Sequence, residues 1–458
     1  MAEVIVFVPG IMGSELYLGD ELIWPGTPAE MLFPYRKMEK LLRPDLRIGD
    51  IIRKVSISNQ YASLIEAFKL CGFDEETGPP TLVVCPYDWR KDNRLAADRL
   101  AECVRKLRVH HGEDVAINIV AHSMGGLVSR YFLESGAYSA ANCPGFDQVR
   151  RLITIGTPHR GAPLALCAAM GQIKRLFLNA KQVKQIADQD DFPALYQLMP
   201  PRSEPYLWNT APEARLEPAK VYEDDTAKRL GLNAKNLESA AAFHAALDTA
   251  KKPDVVVYFC FIGTRQDTIC NVQGNFAGET VEGVFPTNTP LPEGVEITDG
   301  GDGTVPSWSA SIPGMQQLAV GGDHGGLYKT PEVLRTLGAL LGKQGVLSSE
   351  FKPERIRISP RDEVVTPGFQ EPVVLFFNTP TGKIEAEIVL TRFAGSDGQP
   401  LPAPTVASKL SFSYVGAPID SLALKVGTPD FAGVYALDVQ VGGASIADND
   451  PQLLVQQE

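Results

Sequence analysis

Strand-like and helical segments alternate through most of the chain, and this predicts an α/β domain on a mainly parallel sheet, followed by a smaller all-β domain. Three observations carry the prediction. Short runs rich in Val and Ile at Glu3–Val8, Thr81–Cys85, Val115–Ala121, Arg151–Ile155 and Val255–Gly263 are bounded by Gly, Pro or polar residues, as buried parallel strands are. Between them Asn59–Lys69, Asn93–Val109 and Met124–Glu134 carry apolar residues at helical spacing, so helices should cover both faces of the sheet. Past Leu341 the helical period disappears.

Each remaining stretch follows from that frame. Residues 163–252 contain helical patterns at Ala165–Lys174 and Ala240–Thr249 but no convincing strand, and read as an inserted helical cap. Residues 15–55 form a second, lid-like insertion in which Trp24, Met31, Leu32, Phe33 and Tyr35 crowd together. Two readings stand evenly: the insertion covers a pocket entrance, with Trp24 and Phe33 meeting substrate, or its aromatics simply pack on the domain. Lys343–Pro353 reads as a linker between a first domain at 1–345 and a second at 350–458. Runs at Arg355–Ile358, Val373–Phe377, Glu385–Leu390, Leu410–Tyr414 and Val434–Val441, punctuated by Pro and Gly, predict a small antiparallel β-sandwich of immunoglobulin-like kind.

Composition narrows the function. Of the 458 residues 44% are apolar and 21% charged, an ordinary globular balance. Basic residues number 43 against 55 acidic, a net charge of −12; nucleic acid, which needs a basic face, is not an expected partner. Anionic membranes are disfavoured on the same ground, while peripheral contact with a neutral lipid surface stays open. The apolar run Val4–Val8 ends at Pro9-Gly10 and lacks the marks of a signal peptide. A cytoplasmic location is therefore expected, although export by a signal-independent route would look the same. The longest apolar stretch, Val255–Ile262, falls far short of the roughly 18 residues of a membrane span. Seven cysteines, at 71, 85, 103, 143, 167, 260 and 270, are scattered and read as buried free thiols in a reducing compartment. Neither a metal nor a cofactor is expected.

The strongest chemical signal is Ala121-His122-Ser123-Met124-Gly125-Gly126, set between a strand-like run and a helical one. A nucleophile elbow places a serine on such a strained strand-to-helix turn and needs small neighbours, because the helix packs close to the sheet. Ala121 stands where Gly is commoner. Helix capping alone would also account for a serine here, but not for the small residues around it. The fold class is thus the α/β-hydrolase fold with a helical cap and a C-terminal all-β sandwich.

A serine hydroxyl needs a base, and the chain has six histidines. His110 and His111 sit at a helix end, where the dipole explains them. His122 adjoins the serine but points elsewhere on the turn; His244 lies in a polar stretch of the cap; His159 precedes any plausible acid and reads as structural. His324, flanked by glycines in Gly321-Gly322-Asp323-His324-Gly325-Gly326, remains as base. The acid should lie between serine and histidine in the chain. Asp302, in Gly301-Asp302-Gly303, is the first candidate, with Asp299 and Asp323 behind it. Donors for a tetrahedral oxyanion should be the N–H of Met124 and that of Ile11 or Met12, in the glycine-bearing loop Pro9-Gly10-Ile11-Met12-Gly13-Ser14.

Pro9 to Leu16, Pro86-Tyr87-Asp88-Trp89-Arg90, the Ser123 and Asp302 motifs, and His324-Gly325-Gly326 together resemble the lecithin:cholesterol acyltransferase family over roughly the first 340 residues. The resemblance implies a Ser123–His324–Asp302 triad and an acyl-ester substrate of lipid type, whose acyl group passes to water or to an alcohol. Asp88 and Arg90 match a family motif and read as a buried ion pair bracing a loop. The disulfide-closed lid of secreted relatives has no counterpart, since residues 15–55 contain no cysteine. The sandwich lies outside the resemblance and is expected to bind a partner of its own. The competing class is a catalytically inactive hydrolase-fold binding protein.

Overall fold

The computed structural model describes residues 2–31, 33–55, 58–76, 78–213, 217–278, 281–287, 300–343, 355–396, 398–449 and 451–456. Leu32 and all but the first residue of the expected linker lie outside the described residues. Among those described, six strands form the central sheet: β1 (Ala2–Val8), β2 (Leu82–Val84), β3 (Val115–His122), β4 (Val149–Ile155), β5 (Val257–Thr264) and β6 (Gln316–Gly321). Their order is β6-β5-β4-β3-β1-β2, and every neighbouring pair is parallel.

Helices α1 (Ala62–Leu70), α2 (Asn93–His111), α3 (Met124–Glu134) and α4 (Pro331–Leu340) cover the sheet. Alternation along β1 shows how. Val4, Val6 and Val8 share a core with Leu100 and Val104 of α2 and Leu127 and Phe132 of α3. Ile5 and Phe7 point the other way, into a core with Leu64 and Phe68 of α1 and Val333 and Leu337 of α4. A strand with side chains on both faces buried is apolar at nearly every position; all eight residues of β3 are buried, and its two polar ones, Asn118 and His122, are hydrogen-bonded. Local chemistry sets the helix ends: Asp92 caps α2 by accepting from the Arg94 N–H at 2.9 Å, and Thr330 caps α4 ahead of Pro331, as short oxygen-bearing side chains do.

The cap, expected to be mostly helical, also contains short strands that the sequence pattern does not reveal. Helices at Leu164–Ala169, Ala180–Ala187, Ala194–Gln197, Asp224–Arg229 and Ala234–Ala245 are joined by strands Leu207–Asn209 and Glu217–Pro218. These complete a four-stranded sheet with Asn271–Asn275 and Glu282–Thr287. Strands of two and three residues carry no readable period, and their other partners come from beyond β5. The 15–55 insertion is a three-stranded antiparallel sheet of Ser14–Leu18, Glu21–Trp24 and Arg47–Ile51 with two short helical turns.

The C-terminal part is a separate β-rich domain. Its strands are β7 (Ile356–Pro360), β8 (Val364–Val365), β9 (Gln370–Ala394), β10 (Pro400–Gly427), β11 (Gly433–Val441) and β12 (Gln452–Val455), with a short pair at Ala444–Ser445. The order is β7-β9-β11-β12-β8, with β10 also on β9. The runs expected as two strands, Val373–Phe377 and Glu385–Leu390, are halves of the single strand β9. The first half pairs with β7 and the second with β11. Thr379-Pro380-Thr381-Gly382 resembles a turn in sequence but forms an irregular stretch where the β9–β10 register shifts. The β8–β12 pair is parallel, so the domain is not purely antiparallel.

Glu371, at the start of β9, is fully buried and accepts from the Asp362 N–H at 2.7 Å. Burial, with the charge of Asp362 adding to it against that N–H bond, pushes its pKa up to about 7 from 4.5. A carboxyl that holds its proton longer when folded than when unfolded contributes stability below the unfolded pKa, and loses it as pH rises through the folded one. Between pH 5 and 8 the thermal midpoint should therefore fall more steeply for the parent than for Glu371→Gln; equal slopes in calorimetry would contradict this.

Candidate active site

Ser123 stands between β3 and α3 with φ 53° and ψ −126°, a region that non-glycine residues occupy only under constraint. Packing supplies the constraint. A Cβ on Gly125 would lie 2.5 Å from the carbonyl oxygens of Val8 and Pro9, and one on Gly126 would lie 2.1 Å from Thr157 Oγ1. The helix can approach the sheet only because both side chains are absent.

The other expected residues arrive from neighbouring strand ends, the usual ligand edge of a parallel sheet. His324, in the loop after β6, places Nε2 2.8 Å from Ser123 Oγ and Nδ1 2.7 Å from Asp302 Oδ2. Asp302, in the segment after β5, is 1% exposed. Its other oxygen accepts from the N–H groups of Thr304 and Val305 at 3.0 and 2.7 Å. Glycines make the space: a Cβ on Gly263 would sit 2.5 Å from Asp302 Cβ, and Gly156, at φ +58°, lies against Asp302 and His324. A hydroxyl bonded to an imidazole whose other nitrogen faces a buried carboxylate can lose its proton to the ring as it attacks.

Asp323 lines the cavity, and its Oδ1 accepts from Ser359 Oγ at 2.5 Å; the His324 bond goes to Asp302. Asp299 lies outside the described residues. Met124 is the first residue of α3 and fully buried; Ile11 and Met12 line the cavity, and Met12 has φ 61°. Trp24 is fully buried, lines the cavity and donates Nε1–H to the Met12 carbonyl at 2.9 Å. It therefore meets both readings of the lid, as a packed aromatic and as a cavity wall. Phe33 does not line the cavity; it packs half-buried on the core. His159 is buried and bonded to Thr154 Oγ1 at 3.0 Å. His244 is buried rather than set in a polar stretch. Asp88 and Arg90 pair at 2.7 Å, with Arg90 donating to the carbonyls of Leu41 and Arg43, so the pair holds the lid insertion.

Sequence reasoning missed Tyr61 and the role of His122. His122 Nε2 lies 3.1 Å from the His324 carbonyl oxygen, which can only accept. Burial, and then the charge of His324, hold the His122 pKa well below the usual value, so the ring is neutral and Nε2 carries its proton. Nδ1 must then accept from Tyr61 O–H at 2.8 Å, and the Tyr61 oxygen accepts from Gly10 N–H at 3.0 Å. One neutral chain thus ties the loop after β1 to the loop bearing His324. No pattern in the sequence places Tyr61 there, because contacts across 61 and 202 residues make it.

These groups open on a cavity of about 500 Å³, within the usual range for ligand sites. Ile173, Phe177, Val183, Ile186 and Leu195 of the cap line it.

Comparison with known proteins agrees with this architecture. The lecithin:cholesterol acyltransferase family pattern matches residues 49–232. "Lecithin-cholesterol acyltransferase-like 4" of Arabidopsis thaliana is 27% identical over 344 residues, 65% of this chain and 60% of that protein. The chain thus resembles the lecithin:cholesterol acyltransferase family over part of its length. A chain in the crystal structure of a Tle4–Tli4 complex superposes with TM-score 0.51 at 15% identity, covering 76% of this chain and 99% of that one, and shares the fold. The family match includes Ser123 but ends before Asp302 and His324, and the positions of those two rest on the bond geometry alone.

Replacing Tyr61 by Phe would leave the Gly10 N–H and His122 Nδ1 buried without a partner. Urea unfolding should show a loss of about 1–3 kcal/mol; a change below about 0.5 kcal/mol would refute the chain as drawn.

Proposed function

We propose that the chain is a serine esterase acting on acyl esters of lipid type, through a covalent acyl-enzyme on Ser123. The observation that carries this reading is the continuous bonding from Ser123 Oγ through His324 to the buried Asp302, at 2.8 and 2.7 Å. His324 Nε2 takes the hydroxyl proton as Ser123 Oγ attacks the ester carbonyl. The negative oxygen that forms is held by the N–H of Met124 and that of Ile11 or Met12, the former at the positive end of α3. His324 then returns the proton to the departing alkoxide. Water, activated by the same imidazole, releases the acyl group and restores Ser123.

The cavity favours an apolar acyl group, since cap residues Phe177, Val183 and Ile186 wall it. Among the described residues no helix is long and apolar enough to cross a membrane. The name of the Arabidopsis relative favours a second reading, in which an alcohol replaces water as acyl acceptor. The two share every step up to the acyl-enzyme. Mass spectrometry of products formed with a long-chain alcohol present separates them: a new ester supports transfer, free acid alone supports hydrolysis.

Ser123→Ala should lower turnover of p-nitrophenyl butyrate by at least about 10⁴-fold. Asp302→Asn should lower kcat by about 10⁴ with KM little changed, because the imidazole is then held in the wrong tautomer. Ser123→Ala protein that keeps a tenth of parental turnover would refute the proposal.

A further inference from the structure

The cavity is not closed by the first domain. Val364, Val434, Gln452 and Leu454 of the C-terminal domain line it, together with the Pro360–Glu363 loop. Strand alternation shows that this is a built face. Val364 of β8 pairs with Leu454 of β12, and Leu454 pairs with Val434 of β11. The three are cross-strand neighbours on one face of the sheet. Their chain neighbours Val365, Leu453, Val455 and Tyr435 point to the opposite face, into the domain's own core. Val364, Val434 and Leu454 instead join the first domain's core, with Phe177, Val183 and Ile186 of the cap.

A β-domain with one core needs one apolar face, and its outer face is ordinarily polar. Here a second apolar row, three strands wide, is turned toward the site. The domain also grips the loop that carries His324: Arg357 donates to the Gly321 carbonyl, and Ser359 Oγ donates to Asp323 at 2.5 Å. Gln60 donates to Glu363 at 2.9 Å beside this contact, and Lys174 of the cap lies 3.9 Å from Asp362. Polar contacts thus fasten the rim, and apolar residues lie within it.

We infer that the C-terminal domain is a wall of the acyl-chain site, and that the Val364–Leu454–Val434 row limits the length of chain the site accepts. This rests on the esterase reading for its substrate class. The acyl tail runs from Ser123 between Phe177, Val183 and Ile186 on one side and the β-row on the other. Each methylene buried there strengthens binding roughly fourfold, from the transfer of apolar surface out of water. Filling the row with a larger side chain should remove the gain for long chains and spare short ones.

The test measures kcat/KM of the full chain for p-nitrophenyl esters from butyrate to hexadecanoate, in Leu454→Trp, in Leu454→Ala and in a control, Val406→Ser. Val406 is 58% exposed on β10 and does not line the cavity. In parallel, cis-parinaric acid and its displacement by fatty acids of graded length report binding to Ser123→Ala protein, with and without each substitution at Leu454. Leu454→Trp should lower the ratio of dodecanoate to butyrate at least tenfold and weaken fatty-acid binding in proportion, while Val406→Ser keeps the parental profile. If Leu454→Trp does not fold, Leu454→Ala must shift the profile on its own. Unchanged profiles and binding in folded Leu454 variants overturn the inference. Length-dependent binding sensitive to Leu454, without ester turnover in the parent, would defeat the esterase reading and leave the wall intact.

Discussion

The buried carboxylate of Asp302 is the interaction on which the site depends. It accepts from His324 Nδ1, Thr304 N and Val305 N, while its own backbone carbonyl accepts from His324 N at 2.8 Å. Side chain and main chain thus tie the segment after β5 to the loop after β6 twice. A carboxyl group out of reach of water is tolerated only when its oxygens are satisfied in this way. The imidazole it orients then has one position for Nε2, and Ser123 Oγ is there. Gly156, just after β4, and Gly263, near the end of β5, leave room for the carboxylate, so the ends of these two strands are shaped around it.

Much of this was legible in the sequence because local rules govern it. The small residues Ala121, Gly125 and Gly126 follow from how closely α3 packs on β1 and β4, and they mark Ser123. Glycine-flanked motifs in the order serine, acid, histidine point to His324 and put Asp302 ahead of Asp299 and Asp323. The illegible parts depend on contacts between remote segments. Strands of two and three residues in the cap have partners past β5, and β9 runs through a Pro-Gly stretch that reads as a turn. Tyr61 gives no sign in the sequence that it bonds to His122, and the turn of the elbow predicts that His122 points away from the serine. Periodicity reports which face of an element is buried, not what buries it, so Val434 reads as ordinary strand, while Val364 and Leu454 lie in strands of two and four residues, too short to show a period.

The β-domain changes how the whole chain is understood. Read from sequence it is an appendage with a partner of its own; in the structure its strands complete a cavity that the first domain leaves open. Ligand sites commonly lie where domains meet, because a concave surface is easier to form between two convex bodies than within one. The consequence is that residues more than 300 positions from Ser123 in the chain, such as Leu454, share a wall with it. The buried Asp88–Arg90 pair plays the matching part on the lid side, where it fixes the insertion that carries Trp24.

The most direct measurement of the central claim is peptide mapping of the chain after reaction with a fluorophosphonate, which modifies a serine only when a neighbouring base activates it. The account predicts one adduct, on Ser123, lost when His324 is replaced by Ala. An adduct on another residue, or labelling of Ser123 that persists without His324, would contradict it.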